Sequence, residues 1–231
     1  MNNTFLQNDL TQKEFSWGIR YLLFQTVFLS RLLSLLNGFL PVPISDVWLN
    51  WLYFSINLGA ALWILRRFLK GFFPVTGNQL LHILGIGALF LGLNFGLSSL
   101  LEQLLSYVAA DFSNINDRII IALFQKNFPL MAIGTILLAP IAEECFFRGV
   151  LFRGIYTRSP KAAWVISVVL FGFLHVMNYI GSAPPLTLLL CFLQYIPAGV
   201  CLAAAYRLSG SLLCPILIHA AVNAVAMLSV R

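Results

Sequence analysis

The sequence predicts an all-α integral membrane protein, a polytopic bundle of about seven transmembrane helices. Of its 231 residues, 60% are hydrophobic and only 10% are charged, and the mean hydropathy is +0.88. A soluble domain carries about 25% charged residues, so this composition excludes an ordinary soluble protein. The apolar residues also form runs of about 20 residues, the length that crosses the hydrocarbon core as a helix.

Prolines, glycines and charged residues separate these apolar runs. The first run contains Arg31 near its middle, so it is predicted either to span the membrane or to lie in the interface as an amphipathic helix. Residues 106–126, between the third and fourth runs, are expected to form a polar loop. The predicted spans are residues 17–40, 47–65, 80–105, 129–156, 162–180, 186–206 and 212–230.

Small residues and prolines predict local features of these helices. Pro197 and Gly199 are expected to bend the sixth helix. Pro215 lacks the N–H that an interior helical residue donates, so it is expected to kink the seventh helix close to His219. Four glycines in the third run are expected to allow close contact with another helix, and they are Gly85, Gly87, Gly92 and Gly96.

The basic residues predict the orientation in the membrane. The formal net charge is +6, but the lysines and arginines lie mostly in short loops between apolar runs and form no stripe for nucleic acid. If the cluster from Arg66 to Lys70 is cytoplasmic, alternate crossings place Arg158, Lys161 and Arg207 on the same side, as the positive-inside rule requires. We therefore expect a cytoplasmic N-terminus in a plasma or inner membrane.

Neither the cysteines nor the N-terminus indicates a secreted protein. The polar segment 1–15 precedes no short apolar region with a small-residue cleavage site, so a removable signal peptide is not expected. The cysteines lie within apolar runs without a CxxC spacing and are predicted to be buried free thiols. They are Cys145, Cys191, Cys201 and Cys214.

Two acids and an arginine lie inside the fourth apolar run, just after Pro140. An ionisable residue at the centre of a membrane helix costs about 2.5–3.5 kcal/mol on insertion scales and marks a candidate functional site. Glu144 and Arg148 are i,i+4 neighbours with the acid first, the favoured order for an ion pair. Glu143 points about 100° away from Glu144. The prediction is one tethered acid and one acid free to react.

Two of the three histidines lie in the last three predicted spans. Phe171 shares a helical face with His175 one turn away, and His219 shares one with Asn223. The third histidine, His82, begins the third run and is predicted to lie at the membrane interface.

Each of these groups also has a purely structural interpretation. A histidine or asparagine in a membrane helix can bond to a neighbouring helix, contributing about 0.6 kcal/mol and at most about 2 kcal/mol. The pair of Glu144 and Arg148 could likewise be a buried tether. However, two acids, two histidines and an asparagine on three separate spans exceed what such bonding requires, so the set favours a functional site.

The order of these motifs resembles the CPBP (Abi) family of intramembrane proteases. That family includes type II CAAX prenyl endopeptidases and proteins of bacteriocin processing or self-immunity. The three motifs are Glu-Glu-x-x-x-Arg, Phe-x-x-x-His and His-x-x-x-Asn, complete here as residues 143–148, 171–175 and 219–223. The resemblance covers about residues 129–230. It divides the chain into N-terminal, family-variable membrane helices at 1–126 and a catalytic bundle at 127–231.

The resemblance implies hydrolysis of a peptide bond in a membrane-associated or lipidated protein. Glu143 and His175 would activate a water molecule, and His219 and Asn223 would stabilise the oxyanion. Glu144, held by Arg148, would orient the helix or assist the base, while Phe171 would pack against the site. The implied partners are the lipid bilayer and a peptide or protein substrate, without nucleic acid.

Several alternatives remain at this point. A family member could act in immunity or as a scaffold, and a proton-coupled transporter could also use Glu and His on facing helices, although no inverted repeat is found. Haem ligation by His175 and His219 would leave the acids unexplained.

Zinc could be held by Glu143, His175 and His219, but no HExxH motif occurs. Asn223 is an uncommon zinc ligand and a good oxyanion donor, so a site without a cofactor is favoured.

Overall fold

The computed structural model of the protein describes residues 10–73, 75–109 and 112–228. Every regular element in these ranges is helical, and no strand occurs in them. Six of the candidate spans are long and apolar enough to cross a membrane, and a shorter apolar helix follows. The predicted all-α polytopic bundle is therefore confirmed. The helices are α1 (Gln12–Gly38), α2 (Asp46–Ile64), α3 (Arg66–Lys70), α4 (Gly77–Val108), α5 (Ile115–Lys126), α6 (Phe128–Tyr156), α7 (Pro160–Tyr179), α8 (Pro185–Gln194), α9 (Ile196–Ser209) and α10 (Leu213–Leu228), with α8 and α9 together forming one span.

Capping side chains set the starts of the helices. At α1, the Thr11 hydroxyl accepts a hydrogen bond from the Glu14 backbone N–H, and the Glu14 carboxylate accepts one from the Thr11 backbone N–H at 3.0 Å. Thr76 and Gln79 form the same capping box at α4. These bonds satisfy backbone donors that a helix start leaves unpaired, so α1 begins five residues before the predicted run at residue 17.

The expected polar loop at residues 106–126 is wrong for most of its length. Helix α4 continues to Val108, and α5 occupies Ile115–Lys126. The Asn114 side chain caps α5 by accepting hydrogen bonds from the backbone N–H groups of Asn116 and Asp117. The polar residues near residue 114 are thus a helix cap rather than a loop. Residues 110 and 111 of the predicted loop, and the predicted end of the last span at residue 230, lie outside the described residues.

Helix α6 is the central element of the bundle. It packs against α1, α2, α7, α9 and α10. Of its most apolar 18-residue stretch, 56% is buried, compared with 11% of the corresponding stretch of α4. It is continuous from Phe128 to Tyr156, as predicted, but widens to π-helical turns at Ile133–Leu138 and Cys145–Phe152. Pro140 donates no N–H and its ring crowds the carbonyl four residues earlier, so the first π segment accommodates it. The second follows directly after the two acids.

The glycines of α4 do not mediate close helix contact, and that prediction is wrong. A Cβ atom added at Gly85, Gly92 or Gly96 would meet nothing within 4 Å, and one at Gly87 would meet only the Cys214 Sγ at 3.9 Å. These glycines lie on a face that the described part of the chain leaves largely uncovered.

The close approaches lie instead between α1 and α6. A Cβ atom at Gly18 would be 2.6 Å from a methyl group of Val150, and one at Gly154 would overlap the ring of Phe15. Helix α1 thus packs directly along the second half of α6. Arg31, the residue that made its span uncertain, is exposed and donates a hydrogen bond to the Val27 carbonyl of its own helix.

The prolines of the last helices act differently from expectation. The sixth span breaks at Tyr195, between α8 and α9, ahead of the predicted bend at Pro197 and Gly199. Helices usually end before a proline, and Pro197 lies in the first turn of α9. Pro215 lies in the first turn of α10, where a missing N–H is tolerated, so the predicted kink at His219 is wrong. All four cysteines are buried and free, as predicted.

Candidate active site

Helix α6 carries the two acids into different surroundings. Glu144 and Arg148 are both fully buried, and the Arg148 Nη1 donates to the Glu144 Oε1 at 3.1 Å. The Arg148 Nη2 donates to the Gly199 carbonyl of α9 at 3.1 Å, and its guanidinium lies 4.4 Å from the ring centroid of Phe171. The predicted ion pair is therefore present, and it also joins α6 to α9.

Helix α7 supplies His175. Its Nδ1 donates to the Phe171 carbonyl at 2.8 Å. Since a carbonyl oxygen can only accept, the proton of a neutral His175 lies on Nδ1 and the lone pair on Nε2. The Phe171 ring is buried and contacts both imidazoles, with centroid distances of 4.9 Å to His175 and 5.8 Å to His219. Phe171 thus packs against both histidines.

Helix α10 supplies His219 and Asn223. The His219 Nδ1 donates to the Glu144 Oε1 at 2.9 Å, so Glu144 accepts hydrogen bonds from both His219 and Arg148. The Asn223 Nδ2 donates to the Thr135 carbonyl in the first π segment of α6 at 2.9 Å. One N–H of the Asn223 amide is used in this bond, and an amide group carries two.

The remaining acid, Glu143, faces both histidines. Its Oε2 lies 3.9 Å from the Nε2 of His175 and 3.9 Å from the Nε2 of His219. These separations exceed a direct hydrogen bond, and the Glu143 Oε2 has no hydrogen-bond partner within the described part of the protein. The structure thus brings His175 and His219, from two other helices, close to one carboxylate oxygen of Glu143.

The Glu143 side chain lies on the wall of a cavity of about 700 Å³. The same cavity is lined by His175, His219 and Asn223, whereas Glu144 and Arg148 lie behind its wall. Its other walls come from α1, α2, α4, α5 and α9, and apolar surface predominates in them. A cavity of this size accommodates several residues of an extended peptide or a lipid chain.

Metal binding was an open alternative for Glu143, His175 and His219. Within the described ranges, no group of three or more His, Cys, Asp and Glu side chains is arranged to hold a metal ion. The remaining histidine, His82, is exposed on α4 and lies 3.4 Å from the Leu208 carbonyl, away from this cluster.

Sequence reasoning missed a group of cavity residues next to His175. The Tyr195 ring stacks on the imidazole at a centroid distance of 4.1 Å and an interplanar angle of 21°. Its hydroxyl donates to the Asp117 Oδ1 at 2.9 Å and accepts from the Asn116 Nδ2 at 3.1 Å. The position of Tyr195 just before Pro197, at an expected bend, was the signal available in the sequence.

Asp117 is the acid of this group, and it lies on α5 outside the candidate spans. Its side chain is accessible at the cavity wall, yet loss of surrounding water raises the pKa of the carboxyl above its ordinary value. The hydrogen bond from Tyr195 and the nearby His175 oppose that rise.

A comparison with known families matches this part of the chain. Residues 125–225 match the family model described as type II CAAX prenyl endopeptidase Rce1-like. This segment, which is less than half of the chain, is similar to the Rce1-like family. No curated protein matches the chain, and neither does any solved structure.

The Rce1-like segment contains every helix that supplies a predicted site residue. It begins at the end of α5 and ends within α10, so it includes the acids, both histidines and Asn223. The resemblance of this segment to the CPBP proteases is thereby confirmed, and the match supports a CAAX-type intramembrane protease at the level of the family. The match accordingly supports a lipid bilayer as its surroundings and a peptide as its substrate.

Proposed function

We propose that this Rce1-like protein is an endopeptidase that hydrolyses a peptide bond of a membrane-associated or lipidated protein with a water molecule activated by Glu143 and His175. The observation that carries the proposal is the equal spacing of 3.9 Å between the Glu143 Oε2 and the two histidine Nε2 atoms. A separation of 3.9 Å allows an oxygen atom to lie about 2.6–3.2 Å from both the Glu143 Oε2 and the His175 Nε2, the range for proton transfer.

The chemical step begins with this water. Glu143 takes one of its protons while the His175 Nε2 accepts a hydrogen bond from the other, and the water oxygen bonds to the peptide carbonyl carbon. The tetrahedral intermediate then collapses, the carbon–nitrogen bond breaks, and Glu143 returns the proton to the leaving amine. General acid–base catalysis of this kind contributes about 10²- to 10⁴-fold.

His219 and Asn223 stabilise the oxyanion in this proposal. Asn223 donates its second amide N–H, since the first is bonded to the Thr135 carbonyl. His219 donates from Nε2, which requires protons on both ring nitrogens because Nδ1 already donates to Glu144. The buried carboxylate of Glu144 stabilises that imidazolium. Removing a single oxyanion donor typically costs about 2.7–4 kcal/mol in the transition state.

The cavity walls support a substrate that is partly embedded in the membrane. Helix α5 contributes Ile120, Leu123 and Phe124 to the cavity, and α2 contributes Phe54. Such apolar walls favour an apolar side chain or a covalently attached lipid next to the scissile bond. A prenylated CAAX protein, a leader peptide and a membrane-anchored regulator all satisfy this chemistry.

The decisive experiment compares wild-type protein with Glu143→Gln. The amide is nearly isosteric with the carboxylate but accepts no proton, so we expect cleavage to fall by about 10²-fold or more. The assay uses purified protein with two fluorogenic CAAX peptides, one farnesylated and one not. Comparative proteomics of membranes from cells carrying either form identifies the natural substrate as an uncut protein.

Glu102→Gln provides the matched control, because Glu102 is an exposed acid on α4 outside the cavity. We expect this variant to cleave as the wild type does. Full turnover by Glu143→Gln overturns the mechanism, and equal cleavage of the two peptides removes the lipid from the substrate class.

A further inference from the structure

Tyr195 occupies one face of the His175 ring. The two rings are stacked with centroids 4.1 Å apart, and the Phe171 ring lies nearby at 4.9 Å and 58°. The hydrogen bond from the His175 Nδ1 to the Phe171 carbonyl fixes the position of one ring atom. It does not fix the angle at which the ring plane is tilted. The stacked contact with Tyr195 restricts that tilt.

Helix α5 in turn holds Tyr195. The Tyr195 hydroxyl donates to the Asp117 Oδ1 at 2.9 Å and accepts from the Asn116 Nδ2 at 3.1 Å. Both partners belong to the first turn of α5, whose cap, Asn114, is buried and donates to the Gln194 Oε1 at 2.9 Å. The first turn of α5 and its cap are therefore hydrogen-bonded to the chain at the break between α8 and α9.

The break itself is tied to the buried ion pair. The Gly199 N–H donates to the Tyr195 carbonyl at 2.9 Å, and the Gly199 carbonyl accepts from Arg148 at 3.1 Å. The backbone that orients the Tyr195 ring is thus anchored on one side by α5 and on the other by α6.

We propose that Tyr195 is a positioning residue for His175, held by Asn116 and Asp117, and that its ring directs the His175 Nε2 toward Glu143. This inference rests on the proposed function, because His175 must have a catalytic role for its orientation to affect cleavage. Displacing a catalytic group by about 1 Å can cost about 10²-fold in rate, so a stacked ring that fixes the imidazole affects turnover without touching the reacting atoms.

The test uses the full chain in lipid nanodiscs, with Tyr195→Leu to remove the stacked ring and Tyr195→Phe to remove only the hydroxyl. We expect Tyr195→Leu to lower kcat for the farnesylated CAAX peptide by about 10- to 100-fold and to change KM much less. Tyr195→Phe keeps the stacked ring but loses both hydrogen bonds to α5, so its kcat should lie between those of Tyr195→Leu and the wild type.

A second measurement needs no substrate and separates this inference from the proposed function. Protein labelled with ¹⁵N at histidine reports the order and tautomer of the His175 ring by NMR. We expect the His175 Nε2 resonance to broaden or split in Tyr195→Leu and, to a smaller degree, in Tyr195→Phe. If Glu143→Gln is fully active while this resonance changes, the proposed function fails and the positioning role stands.

Tyr179→Leu is the matched control. The Tyr179 hydroxyl donates to the Asn116 Oδ1 at 3.3 Å, so this variant also releases a tyrosine from α5 but leaves the stacked pair intact. We expect it to retain the wild-type His175 resonance, and this resonance alone is compared because Tyr179 also lines the cavity. An unchanged resonance in Tyr195→Leu, or equal broadening in Tyr179→Leu, overturns the inference. If Tyr195→Leu does not fold, Tyr195→Phe with a wild-type Tm decides the question by the same resonance.

Discussion

At the scale of single residues, Glu144 joins two other groups of the site although it lies behind the cavity wall. Its Oε1 accepts hydrogen bonds from Arg148 at 3.1 Å and from His219 at 2.9 Å, and its carboxylate is fully buried. A buried charge is tolerated only when it is paired and hydrogen-bonded. Arg148 supplies the compensating charge, and His219 gains a fixed orientation from the same oxygen.

Replacing Arg148 therefore tests a structural role. In Arg148→Ala, Glu144 stays buried without its cationic partner, which typically costs about 3–5 kcal/mol. We expect a lower yield of folded protein and a lower Tm in detergent, measured by size-exclusion chromatography and thermal unfolding.

Arg158→Ala provides the comparison, since Arg158 is exposed in the turn after α6. Its effect on Tm should be small, because exposed charges contribute about 0–1 kcal/mol. A wild-type Tm for Arg148→Ala would show that the buried pair does not stabilise the fold.

The role of a metal is a second prediction at this scale. The proposed water activation by Glu143 and His175 needs no ion, so purified protein should contain far less than a stoichiometric amount of metal. Activity should survive exhaustive chelation. Elemental analysis together with the cleavage assay checks both points. Stoichiometric zinc, with activity lost on its removal and restored on its return, would contradict the prediction.

At the scale of elements, the contact of α1 with α6 determines how the catalytic helix is supported. The second π segment of α6 is completely buried, and Val150 within it lies against Gly18 of α1. A glycine lets two helix backbones approach closely in a membrane. Helix α1, which lies outside the Rce1-like match, is thus part of the packing behind the site.

Gly18→Ala should therefore destabilise the protein. The added Cβ would lie 2.6 Å from a Val150 methyl, and Val150 is a stiff β-branched residue without space to move. Overpacking of this kind costs about 1–3 kcal/mol, so the Tm should fall.

Gly92→Ala provides the control, because its added Cβ meets nothing within 4 Å. The change at Gly92 should leave the Tm equal or higher, since alanine favours a helix by about 1 kcal/mol over glycine. If both variants unfold at the same temperature, the close contact of α1 with α6 is not a determinant of stability.

At the scale of the whole molecule, the distribution of charge predicts orientation. The basic residues Arg66, Arg67 and Lys70 follow α2, and Arg158 and Lys161 follow α6. An even number of candidate spans separates these two positions, so we expect both to lie on one side of the membrane, and the positive-inside rule predicts that this side is cytoplasmic.

Cysteine labelling checks this orientation. We expect Arg158→Cys to react with a membrane-impermeant maleimide only after the cells are opened, and Ser113→Cys to react in intact cells. The native cysteines are all buried, so they should contribute little background. Labelling of Arg158→Cys from outside intact cells would reverse the predicted topology.

The sequence by itself determined where the long apolar helices lie and which reactive groups each one carries, although it did not predict α5. Composition and run length define the spans, and the helical period makes residues four apart neighbours. It therefore predicts the bond from Arg148 to Glu144 at 3.1 Å and the shared face of Phe171 and His175. Such contacts depend only on the backbone of one helix.

Only the tertiary structure decided how these faces meet. Glu144 and His219 are 75 residues apart in sequence yet 2.9 Å apart in space, and Tyr195 reaches His175 because the sixth span breaks at that residue. The rotation of each helix about its axis depends on its packing partners, including the close contact of Gly18 with Val150. Those partners belong to distant parts of the chain, so no local pattern specifies the spacing of Glu143 from its two histidines.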